Sequence, residues 1–461
     1  MDLTSRLRSI VRPLDGARGR PPNSAPRELT YEPDTGRYEG SIEIERVADV
    51  LGGRVVTNGF GRALIVDRRY ESDRVHGTRR VGDCEFEDGD TLRLLDPTLA
   101  PRAAGEATRQ DDDGPGSRTL FVDLETTGLS GGAGTVAFLV GCGWFDMGAF
   151  QVRQFVLTSY ASERALLSEV ADCFGATSLL VTYNGKTFDV PMMETRWMFH
   201  RMPLPLESVR HFDMLHPARR LWRSREDEGG CRLGNLERVL CDVTRVGDVP
   251  GMDIPGRYFT FLRTGDARPL EPVLEHNRLD LISLAAVVAH AVQLLEEGSA
   301  RCRDGAEALA LGKVYERAGC VDRAIASYER AAGDLSAHID VVVESLYRLG
   351  LRLRRDRRFA EAAAVWRRIL DVKPGRTSLR HGYGGQAGRR GTLLAPLRQF
   401  AVEALAIHHE HRERDYEGAK ELTMRLLEDA DEKADATRHR LARLEKKIAR
   451  KNDSHLFGGC A

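Results

Sequence analysis

Apolar and polar positions along the chain fall into three regimes. Between about 38 and 95, short apolar runs alternate with turn residues. SIEIERV, RVVTNGFGRALIVDRRY and TLRLLD read as short strands, which predicts a small β-rich unit over 31–100. From 118 the runs lengthen: TLFVDLE reads as a buried strand, TVAFLVGCGWF as a second, and AFQVRQFVL as a third with partial alternation. SERALLSEVADCF then has helical spacing with Ser162 placed as its N-cap, and SLLVTYN is another apolar strand. A helix over about 190–200, a short strand around HFDM, and helices at 214–222, 232–241 and 270–296 complete the stretch. That order predicts a mixed α/β sheet with flanking helices across 118–297.

The third regime, 304–450, is almost wholly helical in pattern, and it repeats. LGKVYERAGCVDRAIASYERA at 311–331 aligns with LGLRLRRDRRFAEAAAVWRRI at 349–369, an offset of 38. Leu311-Gly312 falls on Leu349-Gly350, Ala324 on Ala362 and Tyr328 on Trp366, while RDYEGAKELTMRLL at 414–427 is a looser third copy of the second helix. Small residues between helices with an aromatic one turn later resemble tetratricopeptide repeats, with longer turns than that family's ~34-residue unit allows. Residues 1–30 read as a flexible lead-in, 101–117 as a polar linker and 451–461 as a tail. The basic, glycine-rich GRTSLRHGYGGQAGRRG at 375–391 reads as a loop between repeats.

Composition narrows the class. At 461 residues the chain has room for two or three domains, and its 68 basic and 69 acidic residues leave a net charge of −1. A nucleic-acid site must then be a local patch. The eight cysteines contain no CxxC pair and no zinc spacing, the N-terminus lacks a signal peptide's apolar core, and no apolar run reaches the ~20 residues of a membrane span. These features predict a cytoplasmic protein with free thiols and no membrane contact.

Three acidic motifs carry the chemistry. Asp123 and Glu125 end the TLFVDLE strand, and alternation puts both on one face, where their repulsion is costly unless a cation lies between them. Such hard oxygen donors suit Mg²⁺ or Mn²⁺. Asn184-Gly-Lys-Thr-Phe188-Asp189 follows the SLLVTYN strand and supplies a third carboxylate at a helix start; capping that helix is its simpler role. His276 and Asp280 stand at i and i+4 in EPVLEHNRLDLISLAAVV, so they share a helical face beside a long apolar run.

The order Asp-x-Glu, Asn-x3-Phe-Asp, His-x3-Asp across 158 residues resembles the DEDD group of ribonuclease H-like 3′–5′ exonucleases. Within that group, ETTGLSGGAGTVAFLVGCGWF, YNGKTFDVP and HFDMLHPARRLW are similar to the bacterial mitomycin repair factor B (YprB-type) nucleases. The resemblance implies a ribonuclease H-like mixed sheet in which Asp123, Glu125, Asp189 and Asp280 hold two Mg²⁺ or Mn²⁺ ions, about 3.5–4 Å apart. It implies that His276 orients or deprotonates the attacking water, although the group shows Tyr-x3-Asp or His-x4-Asp and this chain has His with the tyrosine spacing. It further implies single-stranded DNA as substrate in a repair setting, with a helicase or other repair protein docking on the helical repeats. Spacing alone separates neither DNA from RNA nor exonuclease from endonuclease, and a non-cleaving adaptor carrying the same domain is the reading from another class.

Around the carboxylates, Thr126, Gly128, Asn184, Lys186 and Phe188 are the expected nucleic-acid contacts, the glycine-rich turn 126–134 letting a 3′-terminal nucleotide approach the backbone. Asp213 reads as a supporting or helix-capping carboxylate, and Arg219, Arg220, Arg223 and Arg225 as a basic run along a phosphate backbone or a solvated face.

Overall fold

The computed structural model describes residues 42–87, 91–101, 118–128, 134–175, 177–206, 209–223, 230–373, 393–428 and 434–457. The lead-in, residues 102–117 of the linker and the 375–391 loop lie outside them.

The centre of the fold is a mixed sheet of seven strands with spatial order β1-β2-β7-β6-β5-β8-β9. Its middle is antiparallel: β5 (Arg118–Thr126) pairs β6 (Ala137–Asp146), which pairs β7 (Ala149–Val156). A two-residue turn, Met147 and Gly148, joins β6 to β7, and both have positive φ as the tightest hairpin loops require. On the other side of β5, β8 (Thr177–Thr182) and then β9 (Arg210–Asp213) add in parallel. These five strands follow the predicted order.

The N-terminal small strands behave differently from a self-contained unit. β1 (Arg54–Asn58) and β2 (Gly61–Tyr70) form a hairpin, and β2 pairs β7 from Leu64 to Tyr70. They thus extend the central sheet, because β7 would otherwise leave an unpaired backbone edge. The segment β3 (Val75–His76) and β4 (Arg79–Arg80) makes a separate two-stranded hairpin. The runs SIEIERV and TLRLLD, expected as strands, go into helices: Ile44–Val47 of the first opens α1 (Ile44–Leu51), which precedes β1, and the second forms the short helix α2 (Thr91–Leu95).

Both sheet faces are covered. Leu120, Val122 and Phe138 pack with α3 (Glu163–Phe174), α4 (Asp189–Phe199) and α7 (Ile254–Thr264). Ser162 precedes α3 as expected, but its hydroxyl donates to the Ser159 carbonyl instead of capping the helix. Helix α7 escaped the sequence pattern because Pro255 and Gly256 interrupt its start; it is anchored by Tyr258 stacking on Phe138, centroids 4.1 Å apart. The opposite face, with Phe121 and Phe150, packs on α5 (Leu215–Trp222), α6 (Leu233–Cys241) and α8 (Glu271–Glu297).

The stretch Arg268–Arg301, which contains α8, is long and apolar enough to cross a bilayer, contrary to the sequence expectation, yet 78% of its apolar window is buried inside the protein.

The same core runs on into the C-terminal helices. α9 (Gly305–Ala318) pairs with α10 (Val321–Ala332), and α11 (Ile339–Arg355) with α12 (Phe359–Asp371). In each hairpin a glycine admits an aromatic ring: a Cβ on Gly312 would fall 2.6 Å from Tyr328, and one on Gly350 2.2 Å from Trp366. These are the positions related by the 38-residue offset. α13 (Leu394–His408), α14 (Tyr416–Glu428) and α15 (Ala434–Phe457) continue the array. Trp222 Nε1 donates to Glu307 at 2.7 Å, and Tyr315 donates to the Leu295 carbonyl at 2.7 Å, tying the array to α5 and α8.

Candidate active site

Strand alternation places Asp123 and Glu125 on the Phe121 face of β5, where α8 crosses the sheet. Directly across the pairing from Asp123 is Gly141. Its missing side chain leaves the space that Asn277 of α8 fills, since a Cβ there would stand 2.2 Å from Asn277 Oδ1. Asn277 is fully buried and donates to Asp123 Oδ2 at 2.8 Å and to the Asp123 carbonyl at 3.2 Å. Gln154 of β7, also fully buried, donates to Asn277 Oδ1 at 2.7 Å and itself accepts from Arg278 at 3.0 Å. A chain of hydrogen bonds through the sheet thus holds one carboxylate oxygen of Asp123 and leaves the other free.

Asp189 opens α4, and its carboxylate accepts from the backbone N–H groups of Leu124 and of its own residue. The loop before it is shaped by Asp213 at the end of β9. This buried carboxylate accepts from the N–H of Asn184 at 2.7 Å, of Lys186 at 3.1 Å and of Leu215 at 3.0 Å. It therefore holds the loop and caps α5. Asn184 takes the left-handed conformation, φ 71°, that bends the chain back toward Asp213.

On α8, His276 and Asp280 face the same way, His276 Nε2 lying 3.5 Å from Asp280 Oδ2. Each is also gripped from behind. Arg245 Nη2 donates to Asp280 Oδ1 at 2.5 Å, and Asp248 Oδ1 accepts from His276 Nδ1 at 2.7 Å. Arg245 Nη1 reaches Asp248 Oδ2 at 3.2 Å. Arg245 is itself fixed by two bonds to the buried Glu237 of α6, at 2.6 and 2.8 Å.

Charge is unevenly balanced across these groups. Burial first, and then the charges of Asp280, Glu125 and Asp189, push Asp123 well above the usual carboxylate range. Burial and the charges of Asp280, Asp189 and Asp248 raise Glu125 to about 8, and burial raises Asp189 to about 7. Acidic groups so placed give up their protons less readily than free carboxylic acids unless a cation replaces the proton, and their all-oxygen donor set fits a divalent cation such as Mg²⁺ or Mn²⁺. Among the described residues, a set of three ligand atoms within 4.8 Å of one another occurs at His409, Glu413 and Asp415 after α13, and not at these four carboxylates.

The expected nucleic-acid contacts are placed variously. Phe188 is 53% exposed beside Asp189, and Gly128 has open space around it. Thr126 turns inward, its hydroxyl bonding the Gly128 carbonyl at 2.9 Å. Lys186 is engaged by Asp96 at 2.8 Å and so is already paired. Arg219 and Arg223 are exposed, Arg220 bonds the Leu95 carbonyl, and Arg225 lies outside the described residues.

Five contributing residues escaped the sequence reading: Gln154, Glu237, Arg245, Asp248 and Asn277. An asparagine beside His276 was an available signal; Gln154 shares β7 with Gln151 and Arg153 and does not stand out there, and the loop carrying Arg245 and Asp248 carries no signal.

A mixed sheet of this order, bearing carboxylates on its central strand and on the crossing helix, is an RNase H-like α/β fold. A family model described as the RNase H superfamily matches residues 120–292. Over 340 residues the chain is 32% identical to a Bacillus subtilis (strain 168) protein called uncharacterized protein YprB, an alignment spanning 72% of this chain and 75% of that one. The chain belongs to the YprB family of RNase H-like proteins. Among solved structures, the family B DNA polymerase from the hyperthermophilic archaeon Pyrobaculum calidifontis matches at 12% identity and a TM-score of 0.31, over 66% of this chain and 44% of the polymerase chain.

Proposed function

We propose that this protein is a metal-dependent 3′–5′ exonuclease that hydrolyses phosphodiester bonds, with single-stranded DNA as the favoured substrate. The observation that carries the reading is the set of four carboxylates brought from β5, α4 and α8 to one face of the sheet. Asp123, Glu125, Asp189 and Asp280 would hold the cations. When bound, divalent cations lower the pKa of water and offset the charge that builds on a phosphodiester. The chain's own contributions are then specific. Asn277 keeps one Asp123 oxygen turned away from the site, and Asp213 holds the 184–188 loop so that the exposed Phe188 ring can meet a base. The open backbone at Gly128 leaves room for a strand terminus.

The C-terminal helical hairpins, read as tetratricopeptide-like repeats, would dock a repair protein such as a helicase on the face away from α5 and α8. The test is degradation of 5′-labelled single-stranded DNA and RNA with Mg²⁺, Mn²⁺ or EDTA, alongside a D123A/E125A double variant. A ladder shortening from the 3′ end, dependent on metal and lost in the variant, is expected. Binding without cleavage on either polymer would make the chain an adaptor; cleavage of a 3′-blocked strand would make it an endonuclease.

A further inference from the structure

The four-carboxylate reading leaves His276 with a water-activating role, and the surroundings of its ring point elsewhere. A carboxylate can only accept, so the 2.7 Å bond from His276 to Asp248 requires the proton on Nδ1. Nε2 is then the ring nitrogen directed forward, and its neighbour at 3.5 Å is Asp280 Oδ2. Asp280 is arranged in the same manner. Arg245 occupies Oδ1 from behind, so Oδ2 is the oxygen left to the front. Arg245 and Asp248 are bonded to each other, and Glu237 anchors Arg245, so one rigid bracket sets both donors.

Two donor atoms of one coordination shell, each about 2.0–2.2 Å from a cation, stand roughly 3–3.5 Å apart. The Nε2–Oδ2 separation is of that size. A carboxylate behind a ligating imidazole is also the usual arrangement that fixes its tautomer and raises its basicity. We infer that His276 Nε2 and Asp280 Oδ2 together ligate one cation, with Asp248 and Arg245 as positioning residues. The inference rests on the nuclease reading for Asp280 as a metal ligand, and it adds a nitrogen to an otherwise all-oxygen set. Imidazole is a poor ligand for Mg²⁺ and a good one for transition metals, so the site at Asp280 should prefer Mn²⁺.

The experiment is pulsed electron paramagnetic resonance of Mn²⁺ bound to the full chain, read for modulation from a directly coordinated ¹⁴N. The signal is expected in the wild type, unchanged in His409→Gln, and lost in His276→Gln, which should still bind Mn²⁺ through the remaining carboxylates with roughly tenfold weaker affinity. Asp248→Asn should weaken Mn²⁺ binding about tenfold with the nitrogen signal retained. Protein-bound Mn²⁺ without ¹⁴N coupling, or coupling that survives His276→Gln, overturns the inference while leaving the carboxylate site standing. No protein-bound Mn²⁺ at all overturns the nuclease reading along with it.

Discussion

Replacing Gly141 by alanine tests whether the support behind Asp123 matters. The new Cβ would lie 2.2 Å from Asn277 Oδ1 and 2.8 Å from its Cγ and Nδ2, so the carboxamide must retreat by about 1 Å to reach ordinary contact. Asn277 is fully buried, so its retreat must displace close-packed neighbours. The bonds from Asn277 to Asp123 at 2.8 Å and from Gln154 to Asn277 at 2.7 Å would then be lost. Two buried hydrogen bonds with stranded partners, plus overpacking strain, amount to about 3–5 kcal/mol. Thermal unfolding should show the midpoint falling by about 5 °C. Gly143→Ala is the matched control: it sits two residues along the same strand, and its Cβ would meet the buried Phe150 ring at 2.5 Å without touching Asn277. Both variants should melt early. Mn²⁺ affinity and cleavage should fall at least tenfold further in Gly141→Ala than in Gly143→Ala. Equal losses in the two would refute the positioning role, and a wild-type midpoint for Gly141→Ala would refute the packing argument itself.

Other consequences follow from single contacts. Glu163 accepts from Arg196 at 2.6 and 2.5 Å with both side chains 4% exposed, so Glu163→Ala removes two charge-assisted bonds from a buried guanidinium and should cost about 3–5 kcal/mol in chemical denaturation; Glu163→Leu with Arg196→Met should recover most of it. Asp213→Ala releases the two backbone N–H groups, of Asn184 and Lys186, that shape the 184–188 loop, and should raise KM for single-stranded substrate roughly tenfold with far-UV circular dichroism unchanged. Glu410 is buried, which opposes ionisation, yet hydrogen bonds from Arg443 and Lys447 hold it down to about 2. A carboxyl depressed in the folded state stabilises above the unfolded value near 4.5, and that contribution is lost as pH falls toward 2. With Arg443 and Lys447 partly exposed it is on the order of 2 kcal/mol, so Glu410→Gln should lower stability at pH 7 and lose its difference from wild type in acid unfolding.

The sequence by itself determined the local elements and the motif carboxylates. Strand alternation is enough to put Asp123 and Glu125 on one face, and helical periodicity is enough to put His276 and Asp280 on another, because both depend only on neighbours along the chain. The glycine–aromatic pairs of the C-terminal hairpins were legible for the same reason: one offset relates Gly312 and Tyr328 to Gly350 and Trp366. What only the tertiary structure decided lies in contacts between residues distant in sequence. Nothing local tells β2 to extend the sheet at β7, since an unpaired edge exists only once β5, β6 and β7 have assembled. Likewise Lys186 reads as a nucleic-acid contact, and nothing local shows that Asp96, 90 positions away, pairs with it. Asn277 earns its place from the gap at Gly141, and Arg245 and Asp248 from the backs of Asp280 and His276. Hydrogen bonds of this kind are directional and short-ranged, so they arise only after long loops have closed, and their partners leave no periodic trace in the chain.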